Sequence, residues 1–218
     1  EVIARFIALY PALTLEMDLS PRRVVLIAEN FDIAIRMGDL PDDASLNARP
    51  INVEHWGLYA APAYLARHGL PEHPHGLLEH HLLCMLSRSG GPTPWVLTRG
   101  KVRWERQLSG RLTANSPELL ARIAAHGAGI AASSLTFAEP YLQAGELVRV
   151  LPEWDLPTAS GWAVFPGRRL MPAKTRAFLD LMEQSCRELG HRGPAALSGD
   201  DSPSSRPGVP GAPAPTRR

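Results

Sequence analysis

The chain has 218 residues, 44% of them hydrophobic, and its 23 Lys+Arg against 22 Asp+Glu leave a formal charge of +1. That balance excludes a nucleic-acid binder working by bulk positive charge and an acidic disordered chain, and the length suits one large domain or two small ones. Cys84 and Cys186 are too far apart to form a disulfide framework or a zinc site, so they read as buried thiols in a reducing compartment.

The first residues, EVIARFIALYP, place Val2, Phe6, Leu9 and Tyr10 at helical spacing before Pro11. Charges at Glu1 and Arg5 and the lack of a small-residue cleavage site argue against a signal peptide, and no apolar run approaches the roughly 18 residues of a membrane span. No capping residue or initiator Met precedes the helix, so the chain is expected to start inside a longer protein. Leu13, Leu15, Met17 and Leu19 alternate with polar residues and predict a strand. Ser20-Pro21 then starts a helix to Glu29, with Asn30 in the left-handed closing position. Phe31 to Met37 predicts a strand buried on both faces, GDLPDD a loop, and Trp56 to Ala61 another strand. This alternation implies a parallel-rich α/β sheet.

Further along, the spacing predicts a helix over 62–68 and strands over 82–86, 95–98, 102–106 and 108–114. Ser116-Pro117-Glu118 supplies a cap, a first-turn proline and an acid for a helix closed by Gly127. A strand over 129–133, a helix over 137–144 and strands over 147–151 and 161–166 follow, and a helix from Pro172 ends at Gly190. Residues 193–218 are rich in Pro, Gly, Ser and Ala and read as a disordered tail.

Five segments taken in order, FDIAIRMGDL, LYAAPAYLARHGLP, LTANSPELLARIAAHGAGIA, GELVRVLPEW and AVFPGRRLMPAKTRAFLDLM, closely resemble the effector-binding domain of LysR-type transcriptional regulators over about residues 1–185. The resemblance implies an α/β fold like type II periplasmic binding proteins: two Rossmann-like lobes joined by two crossing strands, with a small molecule between them. The crossings are placed near 60–64 and 161–166, so that lobe one is 1–61 plus 163–190 and lobe two is 62–162. The family also carries an N-terminal winged helix-turn-helix, and a strand that opens this domain and lines its pocket. Neither lies in this sequence, so the chain is expected to be a fragment that meets promoter DNA only through a domain outside it. Dimers and tetramers are implied, with residues 1–19 as the lobe-one contact.

Three groups are candidates for effector binding. Asn115-Ser116-Pro117 is a turn from a strand into a helix N-terminus, where free N–H groups and a partial positive charge favour an anion. Its bland alternative is a plain N-cap. Arg36-Met37-Gly38 follows a strand at its carboxyl end and offers a guanidinium fork, or else an ion pair with Asp39 or Asp32. Ser133 and Ser134 end the next strand and either touch ligand or cap a helix. His73, His75, His80 and His81 fall in a Pro/Gly-interrupted stretch and read as surface histidines, so no metal or cofactor is expected. There is no G-x-S-x-G, no phosphate loop and no H-E-x-x-H, and an enzyme is not the leading reading. That reading is a cytoplasmic effector sensor that binds a small, anionic metabolite and associates with itself. The rivals are a transporter's solute-binding protein and an enzyme on the same two-lobed fold.

Overall fold

A computed structural model of the chain describes residues 2–20, 22, 24–40, 45–87, 90–167 and 171–190, the last four by backbone alone. In chain order the elements are α1 (Val2–Leu9), β1 (Ala34–Met37), β2 (Leu46–Glu54), β3 (Trp56–Ala60), α2 (Pro62–His68), a 3-10 turn (Pro74–Glu79), β4 (Leu82–Met85), β5 (Trp95–Arg99), β6 (Val102–Arg106), β7 (Leu112–Ala114), α3 (Pro117–Ala125), β8 (Ile130–Ser134), α4 (Leu135–Gln143), β9 (Val148–Val150), β10 (Ala159–Pro166) and α5 (Ala173–Gly190).

The larger sheet has the order β7-β4-β8-β3-β9. Within it β7, β4 and β8 run parallel, while β3 pairs antiparallel with β8 and β9. Alternate residues of its strands enter two different cores. Leu58, Leu82, Cys84, Ile130 and Ala132 pack on one face with Tyr64 of α2 and with Trp95, Leu97 and Trp104 of the β5–β6 hairpin. Tyr59, Leu83 and Ala131 pack on the other face with Leu120, Ala121 and Ala124 of α3 and Ala138 of α4. Both faces are dry, so these strands read as near-continuous apolar runs.

The smaller sheet has the order β1-β10-β2, and both pairings are antiparallel. Its core is slight: Ala163, Phe165 and Leu179, with Ile33, Ile51 and Met171 against them. Phe6 of α1 meets Phe178 of α5 edge-on at 5.0 Å. The chain passes between the sheets twice, at 54–56 and at 150–159.

Several sequence expectations change here. The sheets are not parallel-rich: the larger is mixed because β3 opposes β8 and β9, and the smaller is antiparallel because β10 returns between β1 and β2 and opposes both. Residues 13–19 form no strand, and Met17 and Leu19 are exposed. A period-2 pattern makes a strand only where a neighbour supplies backbone partners. Residues 24–30 form turns instead of a helix, though Asn30 does take the left-handed conformation, at φ 58°. β1 is shorter than predicted and is an edge strand with Ile35 and Met37 exposed, not one buried on both faces. β2 has no counterpart among the predicted elements, because Pro50 and polar residues interrupt its pattern. It too is an edge, where a proline is tolerated, and its register with β10 shifts between Gly161 and Trp162, opposite Pro50–Asn52. β3 joins the larger sheet, so the first passage falls at 54–56 and not at 60–64. The predicted tail, 193–218, lies outside the described residues.

Candidate functional site

The carboxyl ends of β4, β7 and β8 lie side by side, and in α/β sheets ligands gather at such ends. β7 stops at Ala114, and the carbonyl there accepts from Leu86 N at 2.8 Å. Asn115 is exposed, and Ser116 caps α3, its Oγ accepting from Leu119 N at 3.2 Å. Pro117 occupies the first turn, where its missing N–H costs nothing. The cap predicted from Ser116 is therefore present; Leu120 N donates to the Ser116 carbonyl at 3.1 Å, so among the described residues Glu118 N is the first-turn donor left over.

β8 brings two serines to the same edge. Ser133 and Ser134 are 0% and 1% exposed. They point to opposite faces, as alternation requires. Ser133 Oγ donates to the Pro117 carbonyl at 2.8 Å and so ties β8 to the start of α3. Ser134 precedes α4, yet its hydroxyl does not cap that helix. Its Oγ is buried with no hydrogen-bond partner among the described residues. A buried hydroxyl without a partner is costly, and functional sites are where such groups are found.

Arg36, Met37 and Gly38 belong to the other sheet. Arg36 is half-buried opposite Trp162, and its Nη2 donates to the Val24 carbonyl at 3.3 Å. Asp32, one of the ion-pair partners considered for Arg36, pairs with Lys174 at 2.7 Å instead. Gly38 takes φ 84°, and its N donates to the Ser160 carbonyl at 2.8 Å, turning the chain out of β1. The eight candidates thus fall into two groups, one on each sheet. Contacts among the described residues join Ser116, Pro117 and Ser133 directly.

A third group went unread in the sequence. Asn52 Nδ2 donates to Glu54 Oε1 at 2.6 Å, and Thr136 Oγ1 of α4 donates to Glu54 Oε2 at 2.9 Å. At the same passage Leu135 N donates to the His55 carbonyl at 2.7 Å. A polar relay therefore spans the two sheets where the chain first crosses. Asn52 Oδ1 is buried without a partner among the described residues, and a Cβ on Gly161 would lie 1.9 Å from it, so glycine there makes room for the amide. The period-2 spacing of Asn52 and Glu54 is the available signal, masked by Pro50 and the polar residues around it.

The thiols do no visible chemistry. Cys84 is buried and Cys186 half-buried, both are free, and burial raises both above the usual thiol range, with the charge of Glu54 adding to the effect at Cys186. No group of three metal-ligating side chains converges among the described residues. No helix among them is long and apolar enough to cross a membrane.

Comparison with known proteins gives the setting. The family model described as LysR substrate binding domain matches residues 1–187. An HTH-type transcriptional regulator of Xanthomonas campestris is 33% identical over 184 residues, 83% of this chain and 53% of the relative. The HTH-type transcriptional activator TtdR of Escherichia coli is 31% identical over 179 residues, 82% of this chain and 57% of the relative. The chain spans about half the length of these relatives. Among solved structures, CrgA of Neisseria meningitidis, a LysR-type transcriptional regulator, superposes with a TM-score of 0.75 at 28% identity, covering 85% of this chain and 62% of that one. Full-length AphB, a Vibrio cholerae virulence activator of the same family, gives 0.73 at 25% identity, covering 84% and 62%.

Proposed function

The chain belongs to the LysR-type transcriptional regulators as their substrate-binding domain, with the two-lobed α/β fold of that family, and we propose that its ligand is a small organic anion held between the sheets. The observation that carries this is the pair of buried serines at the end of β8. One fixes the start of α3 and the other leaves a hydroxyl unanswered on the opposite face of the same strand end. The N-terminus of α3 adds the Glu118 N–H and a positive dipole end. Arg36 on the smaller sheet supplies the opposing positive group. A carboxylate bridging the two would favour one relative orientation of the lobes, and the shift in that equilibrium is the signal.

The lobes proposed are the smaller sheet with α1 and α5, and the larger sheet with α2, α3, α4 and the β5–β6 hairpin. The relay through Asn52, Glu54 and Thr136 lies at their junction and would change when they turn. Self-association is the second function proposed. It is supported by exposed Ile7, Leu9, Leu13, Met17 and Leu19 along one stretch of chain. Reading promoter DNA is assigned to the helix-turn-helix domain that the family carries, and the setting to the cytoplasm. The relatives are regulators, and the catalytic and transport rivals have no observation in their favour.

The test is a thermal-shift screen of mono- and dicarboxylates, followed by calorimetry on any hit. Arg36→Ala should weaken a genuine hit about ten- to hundred-fold, the worth of one charge-assisted hydrogen bond. A hit bound equally well by Arg36→Ala, or no stabilisation by any carboxylate, overturns the reading.

A further inference from the structure

The other end of the parallel strands borders a cavity of different build. His81 stands just before β4, Arg111 just before β7, and Gly127 and Ala128 just before β8. These residues border an open cavity of about 480 Å³. It lies at the amino ends of the strands, opposite the serines and the α3 N-terminus. Its floor is apolar: Leu83 is buried, and Leu112 and Ile123 are half-buried. Its rim is basic: Arg67 and His68 from α2, with His81 and Arg111. No carboxylate lines it, and among the described residues none lies within ion-pair distance of Arg67 or Arg111.

The rim is held in place from beneath. Tyr64, 1% exposed, stacks on the His68 ring at 4.5 Å, and its hydroxyl accepts from His81 N at 2.9 Å. The His68 and His81 rings lie 5.3 Å apart. Arg67 Nε donates to the Ala63 carbonyl at 3.1 Å, which orients the guanidinium. Its Nη2 lies against the α3–β8 turn at Gly127, where the backbone takes φ 78°. Gly129 allows the same approach on the other side. A Cβ there would sit 2.2 Å from the His81 carbonyl, which accepts from Ile130 N at 2.8 Å.

We propose that this cavity is a second ligand site, selective for a small organic anion with an apolar body. The apolar floor takes the body and the two guanidinium groups take the acid group. A bare inorganic anion would leave the floor unused, and a neutral apolar molecule would leave two arginines without a counter-charge. The volume falls within the range of small-molecule pockets. The site shares no residue with the proposed cleft between the lobes, so it stands or falls independently of the function proposed above.

The experiment uses 1-naphthoate and its neutral counterpart 1-naphthalenemethanol on the full chain. Calorimetry should show the acid binding at least tenfold more tightly than the alcohol. Amide shifts of Gly127 and Ala128 in ¹H–¹⁵N spectra should move with saturation. Arg67→Gln/Arg111→Gln, both exposed positions, should weaken the acid ten- to hundred-fold and leave the alcohol unchanged. Arg36→Ala should not alter it. Equal binding of acid and alcohol would reduce the cavity to an apolar hollow and overturn the proposal. So would shifts confined to Ser116 and Ser134, or the absence of binding at millimolar naphthoate.

Discussion

Two neighbouring serines should respond in opposite directions when their hydroxyls are removed. Ser133 and Ser134 are both buried, and each change to alanine deletes one oxygen. Ser133 Oγ donates to the Pro117 carbonyl at 2.8 Å. Losing a bond of this kind costs about 0.5–1.5 kcal/mol net. In a protein of this size about 1 kcal/mol moves Tm by roughly 2–4 °C, so Ser133→Ala should melt a few degrees lower. Ser134 Oγ has no partner among the described residues. Its desolvation costs about 1–3 kcal/mol with nothing gained in return. Ser134→Ala should therefore melt at the same temperature as the parent or a few degrees higher. With a cleft ligand bound the order changes, because Ser134→Ala loses the group that the ligand would satisfy. Urea unfolding of the parent and both variants, without ligand, measures the first effect, and equal m-values would confirm a like-for-like comparison. If Ser134→Ala loses as much stability as Ser133→Ala, the Ser134 hydroxyl is already paired and the reasoning about the cleft fails.

Two further outcomes follow from other parts of the molecule. His80 is held below its ordinary value of 6.5, first by burial and then by the charges of His68 and His81, with Glu79 opposing them. The unfolded chain therefore binds the proton more readily than the folded one, so stability is full above about pH 6.5 and falls as pH drops below it; His80→Gln should flatten the urea midpoint between pH 7 and pH 5, and an unchanged slope would show that His80 does not carry the dependence. Leu9 is 57% exposed on α1 beside exposed Ile7, so Leu9→Asp should shift sedimentation toward the monomer without lowering Tm, and an unchanged distribution would move the self-association surface elsewhere.

The legible parts of the sequence are those where one local signal sufficed. Ser116-Pro117-Glu118 fixed the start of α3, and Gly127 its end, because capping chemistry is local. The Arg99-Gly100 turn between β5 and β6 was legible for the same reason, with Gly100 at φ 59°. Apolar runs such as WGLYAA and GIAAS read as strands because both faces of the larger sheet are covered. The smaller sheet was less legible. Its strands β1 and β2 are edges, so their patterning is weak, and β2 carries Pro50. The stretch 13–19 misled in the opposite sense, because its alternation is strong but no described strand lies beside it to complete the pairing. Periodicity reports which side chains would share a face, whereas pairing is decided by what lies next to the strand.

The same distinction explains why candidate site residues were read singly and not as sites. Ser133 was visible as a polar residue ending an apolar strand, but its bond to Pro117 joins positions 16 apart. Asn52 and Glu54 form one relay with Thr136, 82 positions beyond Glu54. Arg67, His81 and Arg111 come together only because α2 ends near where the neighbouring strands β4 and β7 begin. Parallel strands produce this concentration as a matter of geometry. Each strand must leave the sheet at one end and return at the other, so turns, free backbone groups and polar side chains collect at both ends. In this sheet the carboxyl ends hold neutral hydroxyls and a helix N-terminus, while the amino ends hold arginine and histidine. In the sites proposed, the first arrangement would favour an anion through fixed dipoles, and the second through exposed full charges that salt screens. The two ends of one sheet therefore favour the same sign of charge by different physics, and ligands at them should be distinguishable by residue and by salt.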